Sequence, residues 1–194
     1  VLEYLDYPIC YTDNEVETQL QQRHFAYIPL DAFAPILSDL ISLRNVMGLR
    51  SPIHTLARLI NPFDAKATLQ SIFHPAYRSS HQQAAFQLGY KNSAVIKGEG
   101  GEFERNPDAK TLICGIKNGE LYEHELPKLT PDRSPTEEEL DLESFKQIWL
   151  GQQNHDYGEL AVTETIGIAL YTMGEAQNFE EAMLKAKQLW QNRN

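Results

Sequence analysis

The chain has 194 residues, of which 42% are hydrophobic and 23% are charged, so it is long and apolar enough to bury the core of a globular domain. Its apolar runs are too short to cross a bilayer, which argues against a membrane-spanning protein. Cys10 and Cys114 lie in no metal-binding spacing and are too few for a disulfide framework. We therefore expect a cytoplasmic protein that does not contact a membrane.

The net charge of −10 arises in one half of the chain. Residues 1–97 contain eight acidic and eight basic side chains, whereas residues 98–194 contain the other 19 acidic and nine basic ones. Because nucleic-acid binding needs a local excess of Lys and Arg, this balance argues against a strong nucleic-acid binder. Candidates for a basic face remain only in the first half, namely Arg44, Arg50, Arg58, Lys66 and Arg78.

Three capping boxes, each a Thr or Asn followed three residues later by Glu, predict helix starts. The pairs are Thr12 with Glu15, Thr136 with Glu139, and Asn178 with Glu181. The first pair predicts a helix that ends near Arg23, and residues 25–28 then predict a short buried strand. Apolar residues recur at helical spacing from residue 32 to residue 47, and Gly48 ends this predicted helix.

The rest of the chain alternates between predicted helices and strands. Strands are predicted at residues 68–73, 93–97, 111–116 and 121–126. Helices are predicted from Pro52 to residue 60, from His74 to Gly89, and at residues 158–173 and 179–192. The pair Asn118-Gly119 predicts a tight turn between the last two strands. This alternation predicts an α/β fold with a mostly parallel sheet flanked by helices, and we expect residues 1–194 to form a single domain.

Several segments, taken in order, resemble one enzyme family. They read SIFHPAY at residues 71–77, AVIKGEGG at residues 94–101 and KNGE at residues 117–120, with GLRS and NP upstream and ALYTMG and FEEA downstream. In this order and spacing, the chain resembles the C-terminal α/β domain of anthranilate phosphoribosyltransferases. The resemblance covers nearly the whole chain and implies the fold shared by these enzymes and the nucleoside phosphorylases.

In that family, a helical N-terminal domain forms the homodimer, and a GTGGD loop with an NxST segment holds phosphoribosyl pyrophosphate. Residues 1–194 contain neither that domain nor those donor loops. The resemblance therefore implies a glycosyl- or phosphoribosyltransferase that binds the sugar phosphate and Mg²⁺ in its full-length form. We expect the fragment alone to hold no cofactor and to be inactive.

The family holds the donor's magnesium with an Asp-Glu pair just after the glycine-rich turn. The matching positions here are Phe103 and Glu104, and Glu102 precedes them. Because Mg²⁺ needs only one or two carboxylates beside phosphate and water oxygens, the resemblance implies Glu104 as a ligand. If the segment is extended, Glu102 points the same way and replaces the lost Asp. The alternative is a solvated acidic loop.

Further departures from the family concern the acceptor. By this alignment, the arginine that holds the anthranilate carboxylate falls at Ser38, whose hydroxyl cannot replace a bidentate guanidinium. A family Asn becomes His54, and a Gly-Pro pair becomes Ala57-Arg58. The predicted acceptor-site residues are therefore Ser38, His54 and Arg58, and we expect an acceptor other than anthranilate. His54 also suits a purely structural hydrogen bond, and His74 is predicted to cap the helix that it precedes.

These departures are similar to the YbiB-type branch, whose members keep the fold without the anthranilate pocket. That resemblance implies an alternative function, nucleic-acid binding by a dimer, although the net charge does not support it. The predicted phosphate contacts are then Arg50, Arg58, Lys66 and Arg78. A catalytically incomplete fragment is the third hypothesis.

Overall fold

The computed structural model describes residues 1–49, 51–98, 102–131 and 141–193. Among these residues, contacts separate two compact units. The first unit contains residues 1–62 with 141–146, and the second contains residues 63–131 with 147–193. No helix in the described ranges combines the length and the apolar composition needed to cross a membrane.

The first unit is built from short helices. They are a 3-10 helix at Glu3–Leu5, the α-helices α1 (Asp13–Arg23), α2 (Leu30–Phe33), α3 (Pro35–Ser42), α4 (Arg44–Met47) and α5 (Ile53–Leu56), and a 3-10 helix at Ala57–Leu59. The predicted capping box starts α1, because the Thr12 hydroxyl accepts from the N–H of Glu15 (3.3 Å) and the Glu15 carboxylate accepts from the N–H of Thr12 (2.9 Å). The N–H groups of Tyr11 and Thr12 hold the pKa of Glu15 below its ordinary value.

The strand predicted at residues 25–28 is wrong. Tyr27 makes only an isolated parallel bridge to Ile9. Phe25 and Tyr27 are 42% and 43% exposed, so the aromatic residues that suggested a buried strand are not buried. The ring of Phe25 instead meets Tyr7 edge to face at 5.4 Å between centroids. Aromatic residues favour strands only where a neighbouring strand and a core receive them.

The single helix predicted over residues 32–47 is also wrong, because the chain forms three short helices there. Pro35 has no N–H to continue α2, and it lies instead in the first turn of α3, where that N–H is not needed. A second break falls at Leu43, between α3 and α4. Gly48 ends the segment as predicted, with a left-handed φ of +68°.

In the described part of the second unit, four strands form one sheet. They are β1 (Thr68–Ile72), β2 (Ser93–Lys97), β3 (Thr111–Lys117) and β4 (Glu120–Leu126), in that order across the sheet. All four were predicted, but the sheet is mixed rather than mostly parallel, since only β1 and β2 run parallel. Asn118 and Gly119, with φ of +53° and +83°, close a two-residue hairpin that makes β4 return along β3.

Helices cover both faces of this sheet. After a 3-10 helix at Pro75–Tyr77 come α6 (Arg78–Gln87), α7 (Leu142–Trp149, which begins in the first unit), α8 (Asp156–Met173) and α9 (Phe179–Gln191). The capping box predicted at Thr136 lies outside the described residues, whereas Asn178 caps α9 by accepting from the N–H of Glu181 at 2.8 Å. One face of the sheet packs on α8 and α9 through the core cluster of Ala94, Ile96, Ile113, Leu126, Ile168 and Phe179.

The opposite face of the sheet packs on α6. Val95 points away from Ala94 because side chains alternate along a strand, and its partner on β1 is Gln70. Gln70 lies against α6, with its Oε1 3.3 Å from Nδ1 of His81. The sheet is thus the middle of three layers, and the predicted α/β class is confirmed.

Gly115 on β3 allows a bulky side chain of the neighbouring strand to lie over β3. It is paired in register with Tyr122 on β4, and a Cβ added to Gly115 would overlap the Tyr122 ring. That ring is held edge to face against Tyr171 at 5.5 Å, and burial raises the pKa of its hydroxyl to about 12. Gly167 on α8 is also in tight contact, but its neighbour is the flexible side chain of Met183.

We expect Gly115→Ala to lower the free energy of unfolding by about 2 kcal/mol, because the added methyl overpacks a rigid ring. Gly167→Ala is the matched control. The thioether of Met183 can change rotamer, and Ala in a helix is favoured over Gly by about 1 kcal/mol. Urea denaturation measures both variants, and equal losses would contradict the rigid contact assigned to Tyr122.

Candidate functional site

The carboxyl ends of β1 and β2 lie side by side because the strands are parallel. Ile72 is paired with Lys97, and the N–H of Gly98 donates to the carbonyl of Ile72 at 3.1 Å. In α/β sheets, ligands bind outside the carboxyl ends of such strands, where the connecting loops diverge. We name the described residues of the two loops that leave these ends, 73–77 and 98–105, the carboxyl edge.

Gly98 fixes the upstream end of the second loop. The residue is buried, and a Cβ at this position would overlap the carbonyl oxygen of Glu102 and the hydroxyl of Ser71. Only a glycine permits so close a return of the chain. The next three residues of the predicted glycine-rich turn, 99–101, lie outside the described residues. The absence of a side chain at Gly98 therefore lets the carbonyl of Glu102 lie directly against the end of β2.

The predicted metal ligands Glu102 and Glu104 are both exposed at the carboxyl edge. The N–H of Glu104 donates to the carbonyl of Glu102 at 3.1 Å, a hydrogen bond that bends the backbone over three residues. The segment is therefore not extended, and the condition for pairing the two carboxylates is not met. Phe103, at the position where the resemblance implies Asp, packs against the core cluster instead.

Across the described ranges, no three His, Cys, Asp or Glu side chains lie close enough together to hold a metal by themselves. Mg²⁺ differs from most metals in this respect, because it keeps several waters and often binds one or two carboxylates beside phosphate oxygens. The role of Glu104 as a ligand of a magnesium–phosphate complex stays a prediction.

Arg105 is the residue of this region that sequence reasoning missed. It is 0% exposed and is the largest fully buried side chain among the described residues. Its guanidinium donates to the carbonyls of Asn106, Ala109 (2.7 Å) and Pro127, and its backbone N–H donates to the Thr165 hydroxyl at 2.9 Å. One residue thus links the carboxyl edge to its own loop, to the chain after β4 and to α8.

The charge of Arg105 lies near a buried carboxylate, Glu164 on α8. Burial lowers the pKa of Arg105, and attraction to Glu164 opposes this. Burial likewise raises the pKa of Glu164, and attraction to Arg105 and Lys187 opposes that. Each buried charge therefore reduces the desolvation cost of the other. The sequence carries no signal for this pair, because Arg and Glu in polar segments are usually exposed.

The loop after β1 carries three exposed aromatic side chains. The ring of His74 meets Phe73 at 4.9 Å and Tyr77 at 6.0 Å, in both cases edge to face. The side-chain cap predicted for His74 is wrong, because its side chain makes no capping hydrogen bond to the described residues of this 3-10 helix; its backbone carbonyl accepts from the N–H of Tyr77 at 3.0 Å. The His74 imidazole is thus presented to solvent at the carboxyl edge.

The predicted acceptor residues Ser38, His54 and Arg58 lie in the first unit. Ser38 is on α3, which packs against α5, the helix that carries His54. Nδ1 of His54 lies 3.2 to 3.3 Å from the backbone and hydroxyl groups of Ser51, whereas its Nε2 is buried without a hydrogen-bond partner among the described residues. Arg58 is half-buried in the following 3-10 helix. The acceptor roles of all three stay predictions.

The basic residues predicted for nucleic-acid binding have different surroundings. Arg58 is half-buried in the first unit, and Lys66 is exposed in the second. Arg78 is half-buried and donates to the carbonyl of Leu112 at 3.2 Å, so it fastens α6 to β3. Arg50 lies outside the described residues. Of the three that are described, Lys66 alone is largely open to solvent.

Glu164 makes stability depend on pH in a definite direction. Because its folded pKa is raised, its stabilising contribution is complete below the unfolded pKa of about 4.3 and is lost as pH rises through the folded pKa. We therefore expect the difference in unfolding free energy, wild type minus Glu164→Gln, to decrease as the pH is raised from about 4 to about 7.

Glu181 provides the opposite control. Its folded pKa is lowered by the Lys185 ammonium and the N–H of Gln177, so the same difference for Glu181→Gln should rise over that pH range. Urea denaturation at both pH values measures the two trends. A rise with pH for Glu164→Gln would contradict the effect of burial on this carboxyl.

A family model described as "Glycosyl transferase family, a/b domain" matches residues 1–192. An uncharacterized protein of Aquifex aeolicus (strain VF5) is 30% identical over 164 residues, which cover 81% of this chain and 52% of that protein. The anthranilate phosphoribosyltransferase of Metallosphaera sedula is 22% identical over 194 residues, or 97% of this chain and 57% of the enzyme. The chain thus spans about half the length of these relatives.

Solved structures share the fold. The anthranilate phosphoribosyltransferase (TrpD) of Thermus thermophilus superposes with a TM-score of 0.74 at 19% identity, covering 97% of this chain and 58% of that one. The Saccharomyces cerevisiae enzyme in complex with PRPP and Mg gives a TM-score of 0.68 at 15% identity, covering 98% of this chain and 57% of that one. With a family match over nearly its whole length, the chain belongs to the glycosyl transferase family as its α/β domain.

Proposed function

We propose that the full-length protein transfers a phosphoribosyl or similar glycosyl group, with the carboxyl edge facing the phosphates of the donor. The observation that carries this proposal is the exposed carboxylate of Glu104, on a loop with one end packed at Gly98 and the other held by Arg105. The yeast relative solved with PRPP and Mg supports phosphoribosyl pyrophosphate as the donor class.

Glu104 suits a magnesium ligand by its chemistry. Its carboxylate oxygens are hard donors, and its exposure leaves space for the water and phosphate oxygens that complete an octahedral shell. When bound, Mg²⁺ neutralises charge on the pyrophosphate leaving group. Glu104 orients the donor by fixing the position of the Mg²⁺ charge. The ring of the preceding residue, Phe103, packs against the core cluster and so limits the movement of the Glu104 backbone.

We further propose that the acceptor binds at Ser38, His54 and Arg58 and is not anthranilate. Ser38 offers one hydroxyl, which cannot form the two parallel bonds by which a guanidinium holds a carboxylate. Nε2 of His54, which has no hydrogen-bond partner among the described residues, can donate to or accept from a polar group of the acceptor molecule. Arg44, exposed at the first position of α4, is the guanidinium nearest to Ser38 along the chain.

The family match runs without a break over both units, which supports our proposal that residues 1–194 act as one α/β domain. Because the chain spans about half the length of its relatives, we propose that donor loops and dimer-forming helices are supplied by sequence outside it. The fragment alone is then inactive. Cys10 and Cys114 are free thiols, which supports a reducing cytoplasmic location.

For the donor, we expect the full-length protein to bind phosphoribosyl pyrophosphate more tightly with Mg²⁺ than without it. Glu104→Ala should reduce the affinity for phosphoribosyl pyrophosphate in the presence of Mg²⁺ by at least about tenfold, because a metal ligand is lost. Isothermal titration calorimetry measures this. Glu120→Ala is the control, since Glu120 is an exposed carboxylate at the opposite end of the sheet. Equal affinities for the two variants, or no Mg²⁺ dependence in the wild type, would reject the assignment.

For the acceptor, we expect no transfer of the phosphoribosyl group to anthranilate by the full-length protein, because Ser38 cannot hold its carboxylate. The fluorescence of anthranilate gives a direct assay. Transfer to anthranilate by the wild type would overturn the proposal. Loss of that transfer in Arg44→Ala and its retention in Ser38→Ala would then assign the carboxylate contact to Arg44.

A further inference from the structure

A buried arginine at the end of a surface loop needs a physical reason. Moving a guanidinium out of water is costly, and an apolar residue of similar volume would often be as stable or more so. Arg105 nevertheless has no exposed surface. Its hydrogen bonds provide the reason, because an apolar side chain would leave the carbonyls of Asn106, Ala109 and Pro127 without this donor.

The carbonyls that accept hydrogen bonds from Arg105 belong to segments without regular secondary structure. The segment after Arg105 is bent by the N–H of Asp108, which donates to the side chain of Asn106 at 2.8 Å. It is joined to the chain after β4 by the N–H of Leu129, which donates to the carbonyl of Pro107 at 2.9 Å. Nη1 and Nη2 of Arg105 make the bonds to these carbonyls, whereas its Nε is buried without a hydrogen-bond partner among the described residues. Because the donors of a guanidinium lie in one fixed plane, the two terminal nitrogens select one arrangement of these segments rather than merely filling space.

The described segment that bears the two carboxylates, residues 102–105, is therefore held at both ends. At the upstream end, Gly98 packs so closely that no Cβ fits. At the downstream end, Arg105 is held by its carbonyl partners and by Thr165 of α8. Glu104 is the residue immediately before this anchor, so any displacement of the Arg105 backbone displaces the Glu104 carboxylate as well.

We propose that Arg105 is a positioning residue, which holds the Glu104 carboxylate in the place where the donor's magnesium–phosphate complex binds. This inference rests on the proposed function for the role of Glu104. The anchoring of the loop by Arg105 is a separate physical statement that can be measured without any ligand.

Arg105→Lys tests the proposal, because lysine keeps the charge and loses the planar set of donors. Arg193→Lys is the matched control, since Arg193 is a half-buried arginine of the same unit whose guanidinium donates to three backbone carbonyls outside the carboxyl edge. Circular dichroism and thermal melts establish that both variants fold. Amide hydrogen exchange on the full-length protein should be at least about tenfold faster at residues 102–104 in Arg105→Lys and unchanged there in Arg193→Lys.

Calorimetry with phosphoribosyl pyrophosphate and Mg²⁺ gives the second readout. Arg105→Lys should weaken Mg²⁺-dependent binding by about tenfold or more, and Arg193→Lys should not. If Arg105 acts through Glu104, the double variant with Glu104→Ala should bind no more weakly than Glu104→Ala alone.

The outcomes separate the two proposals. Normal exchange at residues 102–104 in Arg105→Lys, or additive losses in the double variant, would overturn the positioning role whether or not the donor binds. A wild type that binds no donor rejects the proposed function, and faster loop exchange in Arg105→Lys would then still support the anchoring.

Discussion

The interaction on which the carboxyl edge depends is the burial of the Arg105 guanidinium among backbone carbonyls. Irregular chain cannot satisfy its polar groups by a repeating ladder, so each carbonyl needs an individual partner. Arg105 supplies several from one side chain, and Glu164 of α8 reduces the cost of burying its charge. A segment whose carboxylates are exposed is thereby anchored to the interior through one side chain.

The sequence predicted those elements whose signals are local. Residues 93–97 form a strand with the predicted limits, Asn118 and Gly119 close the predicted turn, and Asn178 caps the predicted last helix. In each of these cases, the periodicity, positive φ or cap depends on residues close in sequence. The family resemblance, which sums many such weak signals, was confirmed over nearly the whole chain.

What the sequence did not predict depends on distant partners. The aromatic residues at 25–28 have strand propensity but no strand to pair with. The mixed sheet depends on how β3 aligns beside β2, which local propensity does not specify. Arg105 was missed because nothing near it in sequence distinguishes a buried arginine from an exposed one. The position of the candidate site after β2 accordingly stays a prediction, and the residue that anchors this segment was not predicted.

The departure at Phe103 has a structural reason as well as a chemical one. Where the resemblance implies a carboxylate, this chain packs an aromatic ring against the core cluster, between two exposed acidic residues. The position thus provides a packing contact and no ligand. In the site that we propose, one carboxylate is compatible with Mg²⁺, which takes its remaining oxygens from water and phosphate.

The tight contact at Gly98 has a consequence for how this protein can diverge. From Glu102, whose carbonyl lies against Gly98, only Phe103 and Glu104 lead to the anchor at Arg105. The number of residues between these two fixed points is therefore as constrained as the identity of either point. Insertions and deletions here, which most surface loops tolerate, would move the anchor off its partners. New specificity in this short segment must arise by exchanging side chains at constant length.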